Sequence, residues 1–478
     1  MMDEMANYLS IFRVLDGLCK GLSVYSGPSR AALIYVEKPD DPVRVYDPQQ
    51  LLQGHEPKLA EIYLQSNEWR DEAPPLAEMQ FLGHIPVESL QLSGLISFGG
   101  RSDSLFYQMW FTEHHPNMCS IGPVERWLEH AAWLLAHDFA SEGAFITGAS
   151  RYALQGYAVH AIHDHIRHTL NNRMGRDTLM MVYPILDAAL SISKTSEEGM
   201  PPRGLLAFVE PVEVDTIRWL VRFPSSEMPR LRNSKHVRKL LQAVEGSNRK
   251  LISDGDLIFG ISSAGRLPDC RITMDFRGRQ GFLRIGGDLA CSFADGNFHS
   301  STRRPNLVQL EEMLLESSMD QSVVHVLFKL VQSIVEEARE QKHGCTLVLD
   351  LEGDPSEIPG QKLEWPIDLR TGEYLELAKS LSKVDGALHI GADLHLHAFA
   401  CLLDGLSVPG EDRSRGARFN SALRFTAMHK DLIVVVVSSD RPVSVMHGGA
   451  EMTAACELKA VRDIPTRPPT MVEWLNDR

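Results

Sequence analysis

The chain has 478 residues, 44% hydrophobic and 23% charged, with a mean hydropathy of −0.15. This excludes disordered and fibrous classes, and at roughly 150 residues per domain it leaves room for about three units. The 48 basic against 63 acidic residues, formally −15, exclude a general nucleic-acid coat, because polyanion binding draws on counterion release to Lys and Arg; a small anion in one local pocket stays allowed. Apolar runs such as residues 432–437 are strand-length, far short of the ~20 residues of a membrane helix. Asp3 and Glu4 stand where a secretory leader would be basic and then apolar, so no such signal is expected. Seven scattered cysteines (Cys19, Cys119, Cys270, Cys291, Cys345, Cys401, Cys456) without a CxxC pair read as reduced thiols of a cytoplasmic protein.

No repeat of 20–50 residues is visible. Residues 1–200 read as an α+β region of sensor or regulatory character. Strand-like runs at 31–36, 43–46, 95–98 and 106–111 precede helical patterns at 123–137, where Trp127, Ala131, Leu134 and Leu135 recur at helical spacing, and at 152–170. A third helix over 179–192 is kinked or delayed by Pro184. Gly- and Pro-containing residues 194–203 are the expected linker. Residues 204–300 read as a β-rich middle region, with short strands at 257–261, 271–276, 281–285 and 290–293 in an antiparallel meander.

After a polar break at 300–305 the pattern becomes mixed α/β, and a domain is expected over 307–460, with 461–478 as a tail. Residues 321–341 form an amphipathic helix, and Gly344 stands where its C-cap is expected. A buried strand at 345–351, a helix at 371–381, and two strands about the turn Gly391-Ala392-Asp393 follow. Then come a Gly/Arg/Ser-rich loop at 408–416, a helix at 419–428, a continuous apolar strand at 432–438 and its partner at 443–446.

Several histidine groups invite a metal reading. His160, Asp164 and His168 share one helical stripe, with His163 and His165 beside them; this motivates a metal-hydrolase alternative against the plainer reading of a polar helix face. His114, His115 and Cys119 make a smaller cluster. His395 and His397 form an HxH pair like that on the first strand of an amidohydrolase barrel. Such a barrel needs roughly 200 further residues, and only 81 follow (478 − 397). They read instead as one face of a half-exposed strand.

Three pieces of the last third make a stronger constellation. Asp385-Gly386-Ala387 puts a carboxylate where backbone can approach a ligand closely. Gly416-Ala417-Arg418-Phe419-Asn420-Ser421-Ala422 is a glycine loop entering a helix, whose amides, Arg418 guanidinium and Ser421 hydroxyl can cradle phosphate. Ser438-Ser439-Asp440 ends the apolar strand, at the edge where α/β sheets place ligands. One or two acids beside a phosphate cradle meet the minimum of a magnesium–nucleotide site. Each piece alone is also ordinary turn and cap chemistry; their order and spacing raise the functional reading.

On these motifs residues 321–449 resemble the diadenylate cyclase (DAC) domain family, the DisA-type nucleotide-binding domain. The resemblance implies an α/β domain with a mixed sheet, ATP or another adenine nucleotide as ligand, Mg2+ or Mn2+ as cofactor, and a homodimer or higher homo-oligomer that joins two ATP into cyclic di-AMP. By position it gives Asp385 metal binding and activation of the ribose 3′-hydroxyl, makes Arg418 catalytic and phosphate-binding, and places Asp440 at a second metal acid. Gly386, Ala387, Gly416, Ala417, Asn420, Ser421 and Ser438 would line the nucleotide. The family's Arg-His-Arg is replaced by Arg418-Phe419-Asn420, which removes a basic pair. The alternative is therefore a nucleotide-binding sensor without turnover.

Overall fold

A 25-residue helix, Met2–Ser26, opens the chain and buries Ile11, Val14, Leu15, Leu18 and Leu22 completely. Its interior glycines break the usual propensity rule, because a Cβ on Gly17 would lie 2.4 Å from the Arg151 carbonyl oxygen and one on Gly21 equally close to that of Leu154. Helix Ala149–Gln155 packs against it there. The computed structural model describes residues 2–71, 84–115, 118–140, 149–196, 200–263, 265, 267–278, 280–294, 296–301, 307–341, 343–351, 355–408, 416–438, 443–452 and 467–477. The architecture is mixed α/β, and the chain divides into two units, Met1–Thr302 with Ala455–Arg478, and Arg303–Ala454.

In the first unit a five-stranded antiparallel sheet runs in the order Arg44–Tyr46, Ala31–Val36, Tyr107–Glu113, Leu95–Arg101, Ile85–Val87. Ala31–Val36 is buried throughout, as its apolar run requires, and Tyr107–Glu113 is buried up to its last residue. Helix Gly122–Ala140 forms as its spacing predicts. The helix expected over 152–170 is two, Ala149–Gln155 and Ala158–Met174, broken at Gly156 and Tyr157. Helix Val182–Lys194 starts late, so that Pro184 falls in its first turn, where no amide is owed a partner.

The second sheet of this unit has eight strands. Arg271–Arg277, Gln280–Ile285, Asp288–Ala294 and Asn297–His299 are a meander, as expected. Arg203–Val209 is inserted beside it and pairs in parallel with Lys250–Ser253, an arrangement that needs the long crossover carrying helix Ser234–Leu241. The last residues return to this unit: the Val45 and Met471 amides donate to the Pro469 and Val43 carbonyls, and Met471 and Trp474 are buried against the first sheet.

Burial holds two histidines of this unit neutral. Desolvation pushes His84 down to about 4, and desolvation, then the charge of Arg126, pushes His165 down to about 4. The unfolded chain, with imidazoles near 6.5, binds these protons first, so stability is complete above about pH 6.5 and is lost as pH falls toward 4. Thermal melting is expected to drop across that window by the equivalent of a few kcal/mol, less steeply in His84→Gln. A flat profile from pH 7 to 4.5 would contradict it.

The second unit is one seven-stranded sheet with helices α1 (Val308–Glu316), α2 (Gln321–Glu340), α3 (Gly372–Leu381) and α4 (Ala417–Met428). Its strands are β1 (Cys345–Asp350), β2 (Gln361–Asp368), β3 (Ala387–Gly391), β4 (His395–Cys401), β5 (Leu432–Val437), β6 (Ser444–His447) and β7 (Ala450–Glu451), in the order β2-β4-β3-β1-β5-β6-β7. Only β1 and β3 are parallel, with α3 in their crossover. Helix α2 lays Leu327, Val331, Ile334, Val335 and Ala338 on one sheet face, and α4 covers the other with Ala422, Leu423 and Phe425. Strand β5, buried at all six positions, is the apolar run that the sequence marks. Among the described residues no helix is long and apolar enough to cross a membrane.

Candidate functional site

Strand register decides which residues meet. Thr346 pairs with Ala387 in the parallel β1–β3 ladder, and Cys345 pairs with Val437 in the antiparallel β1–β5 ladder. Just beyond these pairs, Gly344, Asp385 with Gly386, and Ser438 arrive at the same end of three neighbouring strands. That end is the C-terminal edge of β5 but the N-terminal edge of the parallel pair, a consequence of β5 running against its neighbours.

Helix α4 begins at this edge. Gly416 is its N-cap with φ 87°, and among the described residues no N-cap side chain closes the first turn. Arg418 reaches back across 33 residues of sequence: its Nη2 donates to Asp385 Oδ1 at 3.0 Å. The pair is exposed, Asp385 at 97% and Arg418 at 47% of their side-chain surface, so the contact adds little to folding. It holds two groups ready at the mouth of the site and separates easily.

The floor is backbone. A Cβ on Gly344 would stand 2.7 Å from Arg418 Nη1, so the glycine leaves room for the guanidinium at the start of β1. The α2 cap is Gln341, and Gly344 serves the site instead. Gly386 has φ 109°, and a Cβ there would sit 2.5–2.9 Å from the Ala400 backbone. The motif glycine thus carries β4 across β3 while leaving Asp385 outside. Ala387 is the first residue of β3 and buried; Ala417 opens α4 and is exposed; Ser421 lies one turn along, half-buried.

Asn420 is 8% exposed, and its buried Oδ1 accepts no hydrogen bond from the described residues. An unmet buried acceptor costs about 1–3 kcal/mol, which a donor on a bound molecule would recover. His343, which the sequence pattern does not mark, also stands here. Its Nε2 is 3.0 Å from Ser382 Oγ, and burial, then the charge of Lys383, hold the imidazole below its usual range. Among the described residues Arg418 and Lys383 are cations close to this ring. Burial drives the Cys345 thiol up to about 12, which makes it packing and not a nucleophile. Ser439, Asp440 and most of the 408–416 loop lie outside the described residues.

Asp385 is therefore the one site carboxylate among the described residues, and no three His, Cys, Asp or Glu side chains converge among them. Such a donor set fits a hard cation that takes its remaining ligands from phosphate oxygens and water, as Mg2+ or Mn2+ does, and does not fit a structural zinc. The histidine stripe does not converge either. Asp164 accepts from the Tyr157 hydroxyl and lies 2.9 Å from His163 Nδ1, His160 Nδ1 lies 2.7 Å from the Tyr183 hydroxyl, and His168 Nε2 lies 2.9 Å from Asn172 Nδ2. His395 and His397 share the half-exposed face of β4, with His397 3.0 Å from Asp393.

Residues 332–451 match the family model of the DisA bacterial checkpoint controller nucleotide-binding (DAC) domain. Residues 5–176 match the model described as “Probable sensor domain DACND”, and residues 183–291 that described as “Probable sensor domain DACNH”. No curated protein is a significant match. Two solved structures align with parts of the chain. One, described as a hypothetical membrane spanning protein from Bacillus cereus, is 18% identical over 30% of this chain and 68% of its own, with a TM-score of 0.24. The other is a double mutant of DacA from Staphylococcus aureus, 19% identical over 27% of this chain and 85% of its own, with a TM-score of 0.21.

Proposed function

Residues 332–451 being a domain of the DisA nucleotide-binding family, we propose that this protein is a diadenylate cyclase whose output is governed by the segments before residue 300. The observation that carries the reading is the convergence of Arg418 and Asp385 at the start of α4. ATP phosphates enter there, and Arg418 exchanges Asp385 for phosphate oxygens in bidentate bonds. The α4 amides take a second set of oxygens. Asp385, released, would hold Mg2+ or Mn2+ and orient the ribose 3′-hydroxyl. The bound ion would neutralise charge developing on the triphosphate.

In each of two transfers the 3′-oxygen of one nucleotide forms a bond to the α-phosphorus of the other. The bond from that phosphorus to the bridging oxygen breaks, pyrophosphate leaves with the electron pair, and the hydroxyl proton passes to solvent. Two domains facing one another supply the proximity. Incubating the protein with ATP and Mn2+ or Mg2+ and identifying products by mass spectrometry tests this directly. Cyclic di-AMP with two pyrophosphates per product is expected.

The replacement of the family's basic pair by Phe419 and Asn420 favours a second reading, a pocket that binds nucleotide and signals without turnover. Saturable ATP or cyclic di-AMP binding with no pyrophosphate release would select it.

A further inference from the structure

Residues 230–239 read Arg-Leu-Arg-Asn-Ser-Lys-His-Val-Arg-Lys, five Lys or Arg and no carboxylate within a chain of net −15. Arg230 to Asn233 form a tight turn, with the Asn233 amide donating to the Arg230 carbonyl at 3.0 Å. The turn is fixed from below. Leu231 is buried, its amide donates to the Asp256 carbonyl at 2.7 Å, and the Ile258 amide donates to the Pro229 carbonyl at 2.8 Å. With Leu231 directed inward, the exposed Arg230 and Arg232, together with Asn233, line an open surface pocket of about 520 Å3. That volume lies within the range of small-molecule sites.

Neither guanidinium makes an ion pair or hydrogen bond with a described residue. Other arginines of the same unit do: Arg30 with Glu113, Arg151 with Asp16, Arg173 with Asp288 and Arg222 with Asp215. Of the acids on neighbouring segments, Asp254 spends Oδ1 on the amides of Asp256 and Leu257, while Asp256 and Glu227 are exposed to solvent. Two unpaired planar forks on a rigid base, beside the start of helix Ser234–Leu241, present a donor array suited to phosphate oxygens.

We infer that this pocket binds a small phosphorylated ligand, with Arg230 and Arg232 on the phosphate. It is a second anion site, in the segment that matches a sensor-domain model and separate from the α4 site. The modest volume of this open pocket and the net acidity of the chain suit a small molecule and not a nucleic-acid strand.

Titration calorimetry of the full chain with pyrophosphate tests this in an Asp385→Ala, Arg418→Ala background, which silences the other candidate phosphate site. One saturable site is expected, weakened by about tenfold per arginine in Arg230→Gln, Arg232→Gln and weaker again in high salt, with melting unchanged because both side chains are exposed. Binding unaffected by the two substitutions, or no binding at all, would overturn the assignment. So would an oligonucleotide that displaces pyrophosphate at these arginines.

Discussion

Asp385→Ala is expected to reduce cyclic di-AMP formation by about 100-fold or more while leaving the melting temperature unchanged. Both halves follow from the geometry. The carboxylate is almost fully exposed and its only described partner is the exposed Arg418 guanidinium, so its removal opens no cavity and strands no buried charge. The same removal deletes the one site carboxylate among the described residues. Asp385→Asn keeps the shape without the charge and should fail equally. Product mass spectrometry and a melting curve on the same preparation check the two together. An active alanine variant would remove Asp385 from the mechanism. A variant that melts early would make the carboxylate structural.

Gly386→Val, one residue along, should behave in the opposite way: the second unit fails to fold stably, and nucleotide binding is lost with it. A side chain at φ 109° is strained in any case, and its Cβ would meet the Ala400 backbone at 2.5–2.9 Å, where no rotamer offers relief. Strands β3 and β4 must part, which is expected to cost about 3 kcal/mol or more. Chemical denaturation of full-length protein, with limited proteolysis locating the loosened part, provides the check. Native-like stability in this variant would refute the close β3–β4 contact. The two neighbours of one motif therefore have separable roles, chemistry for the aspartate and backbone approach for the glycine.

Most of the second unit is legible from sequence because its elements satisfy local rules, while α1 and β2 are not marked. Helix α2 repeats apolar residues at helical spacing, and β5 is an unbroken run buried on both faces. Where long-range contacts decide, the reading fails. Gly344 looks like a helix stop when only its neighbours in sequence are considered, yet the β1–β3 register brings it under Arg418. The opening helix hides behind Gly17 and Gly21, which weaken helix propensity but admit helix Ala149–Gln155. The parallel partner of Arg203–Val209 lies beyond a crossover of some 40 residues, and no turn signal announces it. In the site, residue types and motif order are readable. The Asp385–Arg418 contact and the orphaned Asn420 oxygen are not, since each depends on how α4 lies on the sheet.

The returning C-terminal segment bears on how the protein can be divided. Arg303–Ala454 is topologically an insertion, because residues on both sides of it belong to the other unit. Met471 and Trp474 complete the apolar cluster of Val43, Val45, Leu59 and Phe111, and the Arg44 guanidinium donates to the Pro468 carbonyl. A fragment ending at residue 302 would uncover that cluster and forgo about 1.5–3 kcal/mol for each large side chain withdrawn. The natural excision keeps residues 467–478 joined to the first part through a short artificial linker, as circularly permuted and domain-inserted proteins are handled.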